Sequence, residues 1–180
     1  MSQNGDTTPI IIRPATPDDA RNIAELHIRS WQWAYRNQLP DEYLQRIASK
    51  LDARTNAHYN ALAHPSAHQR RWIAEYNNAI AGFACTNISH DPDATPETAQ
   101  VEALYLAPEA AGKGIGRALF SYTVDDLRRN GYVQATLWVL KTNQRARKFY
   151  ESAGWLPDGQ VKVEERPGAI LHEVRYHMMF

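Results

Sequence analysis

The stretch AGKGIGRALF, from Ala111 to Phe120, places glycine at 112, 114 and 116 just before an apolar, helix-favouring run. A helix N-terminus leaves its first backbone N–H groups unpaired and carries a partial positive charge, which makes it an anion site. Glycine at such a turn lets the backbone approach a bulky phosphate without side-chain obstruction. Lys113, Arg117, Lys141, Arg145, Arg147 and Lys148 flank this turn and the start of the following helix. A basic rim of this kind suits a ligand with several phosphates.

Two familiar phosphate loops do not fit. A dinucleotide fingerprint needs its third glycine where Arg117 stands, and it sits near the start of its domain. The G-x-x-x-x-G-K-S/T loop fails because Gly112 is followed five residues later by Arg117. A glycine turn that serves packing alone is the plain alternative. Metal chemistry finds no spacing: His64 and His68 straddle Pro65, and His172 and His177 would point to opposite sides of one strand. Cys85, the single cysteine, sits in the apolar run IAGFACTNIS and reads as a buried small hydrophobe, with no histidine marked as its partner.

The elements that must position the turn follow from periodicity. IIIRP (Ile10 to Pro14) reads as a first strand. Thr16 as N-cap, Pro17 at the first helical position and Asp19 three residues after the cap open a helix. Its apolar face carries Ile23, Leu26, Ser30 and Trp33. LPDEYLQRIASKLDARTNAHYNAL is a second helical stretch broken in two, ended by Pro65. Two strands flank Asn77-Asn78, a tight turn because Asn tolerates positive φ. HDPDATPETAQ is a loop by composition. VEALYL is a strand closed by Pro108, and the glycine turn leads into a helix from about Lys113 to Arg129, stopped by Gly131. YVQATLWVL is a nearly continuous apolar strand, as expected for a sheet covered on both faces. Asn143 caps a helix with Ala146, Phe149, Tyr150 and Ala153 on one face, and LHEVRYHMMF is a final strand. The strand–helix–strand unit from Val101 to Leu140 must be a right-handed parallel crossover. With the other strands joined by hairpins, the expected class is α/β: a mixed, mostly antiparallel central sheet with helices on both faces.

Composition narrows the setting. Twenty basic residues balance twenty acidic ones, so no global attraction to nucleic acid or membrane is expected. A chain of 180 residues, 43% hydrophobic, predicts residues 1–9 as a flexible tail and 10–180 as one domain. The opening MSQNGDTTP lacks the basic flank and apolar core of a signal peptide, and no apolar run reaches about 18–20 residues. The expected location is the cytoplasm.

Two segments resemble one family. VEALYLAPEAAGKGIGRALF is similar to the central motif of the GNAT acetyltransferases, Gln/Arg-x-x-Gly-x-Gly/Ala after a strand that ends near a proline; here the glycines are Gly114 and Gly116, and Ala111 replaces the opening Gln or Arg. LWVLKTNQRARKFYESAGW resembles the next segment, N-x-x-A-x-x-F/L-Y-x-x-x-G-F/W, through Asn143, Ala146, Phe149, Tyr150, Gly154 and Trp155. The resemblance is firm over about residues 98–156, and SWQWAYRNQLPDEYL and HEVRYHMMF also look like the first-helix region and final strand of many bacterial members.

The resemblance implies acetyl-CoA as co-substrate. It implies that the turn from Ala111 through Gly112, Lys113, Gly114, Ile115 and Gly116 to Arg117, with Asn143, holds the pyrophosphate. It also implies that the strand Leu104, Tyr105 and Leu106 splays from its neighbour and pairs with the pantetheine arm, where an N–H can stabilise the oxyanion. Tyr150 matches the tyrosine that protonates the leaving thiolate. An amine with a pKa of about 10.4 must lose a proton before attack. Glu102, two residues before Leu104, is the first candidate base, ahead of Glu173 and Glu25. Trp31 and Tyr35 lie on the helix that borders the acceptor site, with Trp33 read equally as core. The function implied is direct transfer of acetyl to a primary amine in a ternary complex, the acceptor a small molecule such as a polyamine, amino acid or amine antibiotic, with a homodimer as the assembly. A protein N-terminal or lysine acetyltransferase, and a non-catalytic CoA-binding module, stay open as alternatives.

Overall fold

The structure is a computed structural model and describes residues 8–180; the first seven residues of the expected tail lie outside them. The chain runs β1 (Ile11–Pro14), α1 (Ala20–Ala34), α2 (Asp41–Ala48), α3 (Leu51–Ala63), β2 (Arg70–Tyr76) and β3 (Ala79–Ile88). It continues through β4 (Thr98–Leu106), α4 (Ile115–Arg129), β5 (Gln134–Leu140), α5 (Gln144–Ser152), β6 (Leu156–Arg166) and β7 (Ala169–Met179). The seven strands form one mixed sheet in the order β1-β2-β3-β4-β5-β7-β6. Only β4 and β5 are parallel, joined by the α4 crossover; every other pair is antiparallel.

Helices cover both faces. Phe83 of β3 meets His27 of α1 and His58 of α3, whereas Trp72 of β2 packs on Tyr122 of α4. Phe120 of α4 in turn meets Phe149 and Tyr150 of α5, so α4 and α5 share a face. Thr16 and Asp19 form the expected capping box, over a 3₁₀ turn (Pro17–Asp19) that precedes α1 proper. Asn77 and Asn78 take φ of 52° and 57°, as the β2–β3 turn requires. Asn143 accepts from the Ala146 N–H at 3.1 Å and starts α5.

Two expectations needed correction. Residues 156–166, left without an element by periodicity, form β6, an 11-residue edge strand. Trp33 does not belong to the core: it is 37% exposed, because α1 turns that side away from the sheet. Cys85 is buried as expected, at 2% exposure, and burial pushes its thiol up to about 12, so it stays protonated.

A polar clamp holds the 89–97 segment against the sheet. Arg175 of β7, itself 6% exposed, donates to Asp91 at 3.1 Å, to both oxygens of Asp93 at 2.6 Å and to Asp158 at 2.7 Å. Asp91 also accepts from Trp138 Nε1 at 3.0 Å. Removing the guanidinium leaves Asp91 and Asp158, both poorly exposed, without a cation. Arg175→Met is expected to lower the unfolding free energy by about 2–4 kcal/mol in urea titrations at neutral pH. Hydrogen bonding to Arg175 holds the Asp93 carboxyl below its usual range. The pair therefore stabilises the fold above pH ~4, and the contribution is lost as pH falls through the depressed value. The gap between variant and parent should narrow in acid.

Candidate active site

The parallel pairing of β4 and β5 is short. It joins Thr98–Val101 to Gln134–Leu137 and goes no further. Beyond it, β4 pairs only with β3 and β5 only with β7. The cause is local. Opposite β3, Cys85 faces Ala103 and Thr86 faces Val101, which leaves Glu102 as the extra residue of a β-bulge. A bulge bends its strand. Past Glu102 the backbone edge of β4 that faces β5 has no strand partner.

A cleft of about 550 Å³ occupies the gap. Its walls include Glu102 to Leu106, Val139, Leu140 and Tyr150 along the two strands and α5, and Ala111, Gly112, Gly114, Gly116 and Arg117 at the glycine turn. On the α1 side it is bounded by Trp31, Trp33, Tyr35, Arg166 and Glu173.

The glycines divide the work. Gly112 and Gly114 take φ of 75° and 78°, a left-handed backbone, and a Cβ at either would meet nothing within 4 Å. Gly116 serves packing: its Cβ would come 2.7 Å from Leu106 Cδ1, so any larger residue would have to push the Leu106 side chain aside. Gly114 is the N-cap of α4, and no side chain caps the helix. Its first N–H groups are therefore donors left for a ligand. Main-chain donors, open space where side chains would stand and Arg117 at the rim make the turn fit for a pyrophosphate.

The structure brings most of the expected site residues together, Asn143 among them. Two of the cofactor candidates point elsewhere. Lys113 lies over the Tyr76 ring at 5.6 Å, and the Ile115 side chain is fully buried in the core, so each could offer the turn only its backbone. The basic rim thins as well. Arg145 lines the cleft and lies over the Trp33 ring at 4.1 Å. Arg147 instead donates to the Tyr176 hydroxyl at 3.1 Å and to the Lys141 carbonyl at 3.1 Å. Lys141 and Lys148 are exposed outside the cleft lining.

Among the carboxylates, Glu25 is away from the cleft and pairs with Arg21 at 3.1 Å. Glu102 lines the cleft, accepts from Cys85 Sγ and from Asn87 Nδ2 at 3.3 Å each, and has no cation partner among the described residues. Glu173 lines it too but is bound to Lys162 at 3.1 Å. The Tyr150 ring packs against Phe120 and Phe149, and its hydroxyl has no hydrogen-bond partner among the described residues. Burial, with Tyr105 nearby, raises Tyr150 well above the usual tyrosine range. Trp31 and Tyr35 are at once core and cleft wall, with ring centroids 4.8 Å apart. Sequence reasoning missed Trp138, Lys162, Glu164 and Arg166, which also line the cleft. The alternation in QVKVEER was the available signal for the strand that carries the last three.

The comparisons with known proteins point one way. The chain is 30% identical over 162 residues to a probable N-acetyltransferase of Mycobacterium tuberculosis, covering 84% of this chain and 82% of that one. It is 26% identical over 153 residues to the 5-NmdU N-acetyltransferase of Pseudomonas phage PaMx11, covering 84% and 90%. The fold superposes on the PaiA N-acetyltransferase of Thermoplasma acidophilum, solved with coenzyme A, with a TM-score of 0.72 at 22% identity, covering 96% of this chain and 99% of that one. Residues 21–155 match the model of the acetyltransferase (GNAT) family, and the chain belongs to that family.

Proposed function

We propose that this protein moves the acetyl group of acetyl-CoA directly to a primary amine of a small molecule while both substrates are bound. The observation that carries the reading is the open edge of β4 ending beside an uncapped helix N-terminus. Both line the same cleft and both offer main-chain donors, one set for a pantetheine arm and one for its pyrophosphate. The relative solved with coenzyme A and the phage relative that acts on 5-NmdU support the donor and the kind of acceptor.

The roles follow from position. The first N–H groups of α4 and Arg117 hold the pyrophosphate, with Gly112 and Gly114 supplying the left-handed turns. Leu104 to Leu106 of β4 hold the pantetheine arm as an added strand. An N–H of this edge stabilises the oxyanion formed as the amine attacks the thioester carbon. Glu102, which has no cation partner among the described residues, takes the ammonium proton through a water before attack. When the C–S bond breaks, the Tyr150 hydroxyl gives its proton to the departing sulfur. Burial keeps that hydroxyl protonated at neutral pH, ready to donate.

Thiol release from acetyl-CoA across a panel of small primary amines tests the whole reading. Silence across the panel, with CoA thioesters still raising the melting temperature, would replace it with a binding module. Tyr150→Phe is expected to lower kcat by about 10²–10³-fold and leave acetyl-CoA affinity within about twofold. Glu102→Gln should cost about 10² in kcat/KM, while Glu173→Gln leaves it nearly unchanged. The reverse pattern would move the base to β7. Gly114→Ala forces a side chain into the left-handed region, so a stability loss of about 1–2 kcal/mol and weaker CoA binding are expected, measured by urea unfolding and calorimetric titration.

A further inference from the structure

No residue of α3 is fully buried, and it half-buries the polar side chains Arg54, Thr55 and His58 between Leu51 and Leu62, which pack on the core. Arg54 Nη1 lies 3.4 Å from His27 Nδ1 of α1, and Arg71 Nη1 of β2 lies 3.4 Å from His58 Nδ1 of α3. The two imidazole centroids are 6.0 Å apart, and Phe83 is edge-on to both. A guanidinium can only donate, so each Nδ1 is the acceptor and each neutral ring carries its proton on Nε2. His27 Nε2, Arg54 Nε, Arg71 Nε and Thr55 Oγ1 are all buried without a hydrogen-bond partner among the described residues. Three of these are pure donors and the fourth can donate. No carboxylate of the described residues lies within ion-pair distance of Arg54 or Arg71.

Uncompensated charge inside a protein is costly, and so is each unmade hydrogen bond. Burial, followed by neighbouring cations, pushes His27 down to about 3 and His58 down to about 4, so neither ring adds a charge. Burial also lowers Arg54. The cluster abuts the cleft. Tyr105, a cleft residue, stacks on His27 with ring centroids 4.5 Å apart. Arg166, another cleft residue, lies over Trp31 at 5.7 Å and adds its positive potential at His27.

We propose that Arg54, Arg71, His27 and Thr55 form an oxyanion site, for a carboxylate or a phosphate group, set against the transfer cleft across the Tyr105 ring. The unpaired donors belong to α1, α3 and β2, which meet around the two imidazoles, and an oxyanion supplies both the charge and the acceptor lone pairs that the protein does not. Its source is either an acidic group on the acceptor or a free anion that steadies Tyr105. The acceptor source rests on the acetyl transfer proposed above; the site itself does not.

Inorganic phosphate, titrated at constant ionic strength against chloride, tests the site without catalysis. The expected result is a saturating rise in melting temperature, with the His27 and His58 ring signals in NMR titrating at higher pH, since an anion favours the imidazolium. His27 faces Arg54, His58, Arg166 and Tyr105, and His58 faces Arg71 and Arg54, so both rings read the cluster's charge directly. Arg54→Met should weaken this phosphate binding by about tenfold or more. Because it removes an uncompensated cation, it should melt no lower than the parent in chloride alone, which a purely structural arginine would not do. Phosphate held at the glycine turn would survive Arg54→Met and leave both rings unmoved. That outcome, or a variant that melts lower and keeps the full phosphate effect, overturns the proposal. With amine acceptors, a KM rise of about tenfold in Arg54→Met confined to carboxylate-bearing acceptors identifies the acceptor as the source. An unchanged KM with phosphate-dependent kcat identifies a free anion. Absence of thiol release with every amine would remove the transfer reading and leave the phosphate-dependent melting intact.

Discussion

A β-strand can satisfy both of its edges only while it keeps register with both neighbours, and β4 cannot do so past Glu102. Its antiparallel register with β3 holds along its length at the expense of one inserted residue. That residue bends the strand, and the parallel register with β5 ends at Val101 and Leu137. Everything the site can do follows from this break. Leu104 to Leu106 keep a free polar edge inside the protein, where unpaired backbone groups are costly unless a ligand or water meets them. The bulge residue is also one of the cleft carboxylates, so the distortion that opens the edge also sets Glu102 at its margin.

The surrounding packing explains why the break does not spread. Below it, Ala99, Val101, Leu137 and Ala135 sit in a dry cluster with Phe120, Val124, Leu127 and Trp155. Above it, Leu106 is held on one side by Gly82 and on the other by Gly116, each of which admits the Leu106 side chain only because it lacks a Cβ. Gly116 is thus fixed by the strand behind it, whereas Gly112 and Gly114 are fixed by the turn's own backbone. Three glycines in alternation serve two different physical demands. The short distance between the open strand edge and the helix N-terminus results from meeting both at once.

How much of this was legible in the residues depends on how local each signal is. The glycine turn and the Asn143–Gly154 helix are written in consecutive positions, and so is the Thr16–Asp19 capping box; all three formed where spacing put them. The splay is a matter of register between Thr86 and Val101, which no single segment encodes; the family resemblance implied it, periodicity did not. Lys113 and Ile115 show the limit of reading a loop as a row of contacts. Once the turn folds, one side chain points out over Tyr76 and the other becomes core. β6 escaped because its alternation is short and its two valines, Val161 and Val163, stay exposed on an edge strand, so no core contact marks it. With it went Lys162, Glu164 and Arg166. The pairs His27–Arg54 and His58–Arg71 were invisible for the opposite reason: each residue is an ordinary polar position on its own element, and only the packing of α1, α3 and β2 makes them neighbours.

Charge balance over the whole chain hides a separation of charge within it. The carboxylates are concentrated where they neutralise more than is needed: Asp91, Asp93 and Asp158 all converge on the single guanidinium of Arg175. Elsewhere on the same face of the sheet, Arg54 and Arg71 have imidazoles for partners in place of carboxylates. An imidazole can accept one hydrogen bond, but it cannot cancel a charge, and beside a guanidinium it will not gain one of its own. Two clusters of opposite net sign thus coexist in one chain, one closed by its own ion pairs and one not. A net charge of +0 excludes long-range steering of a polyanion, yet it leaves room for this short-range asymmetry, and within a Debye length of about 8 Å that local balance is what a bound substrate meets.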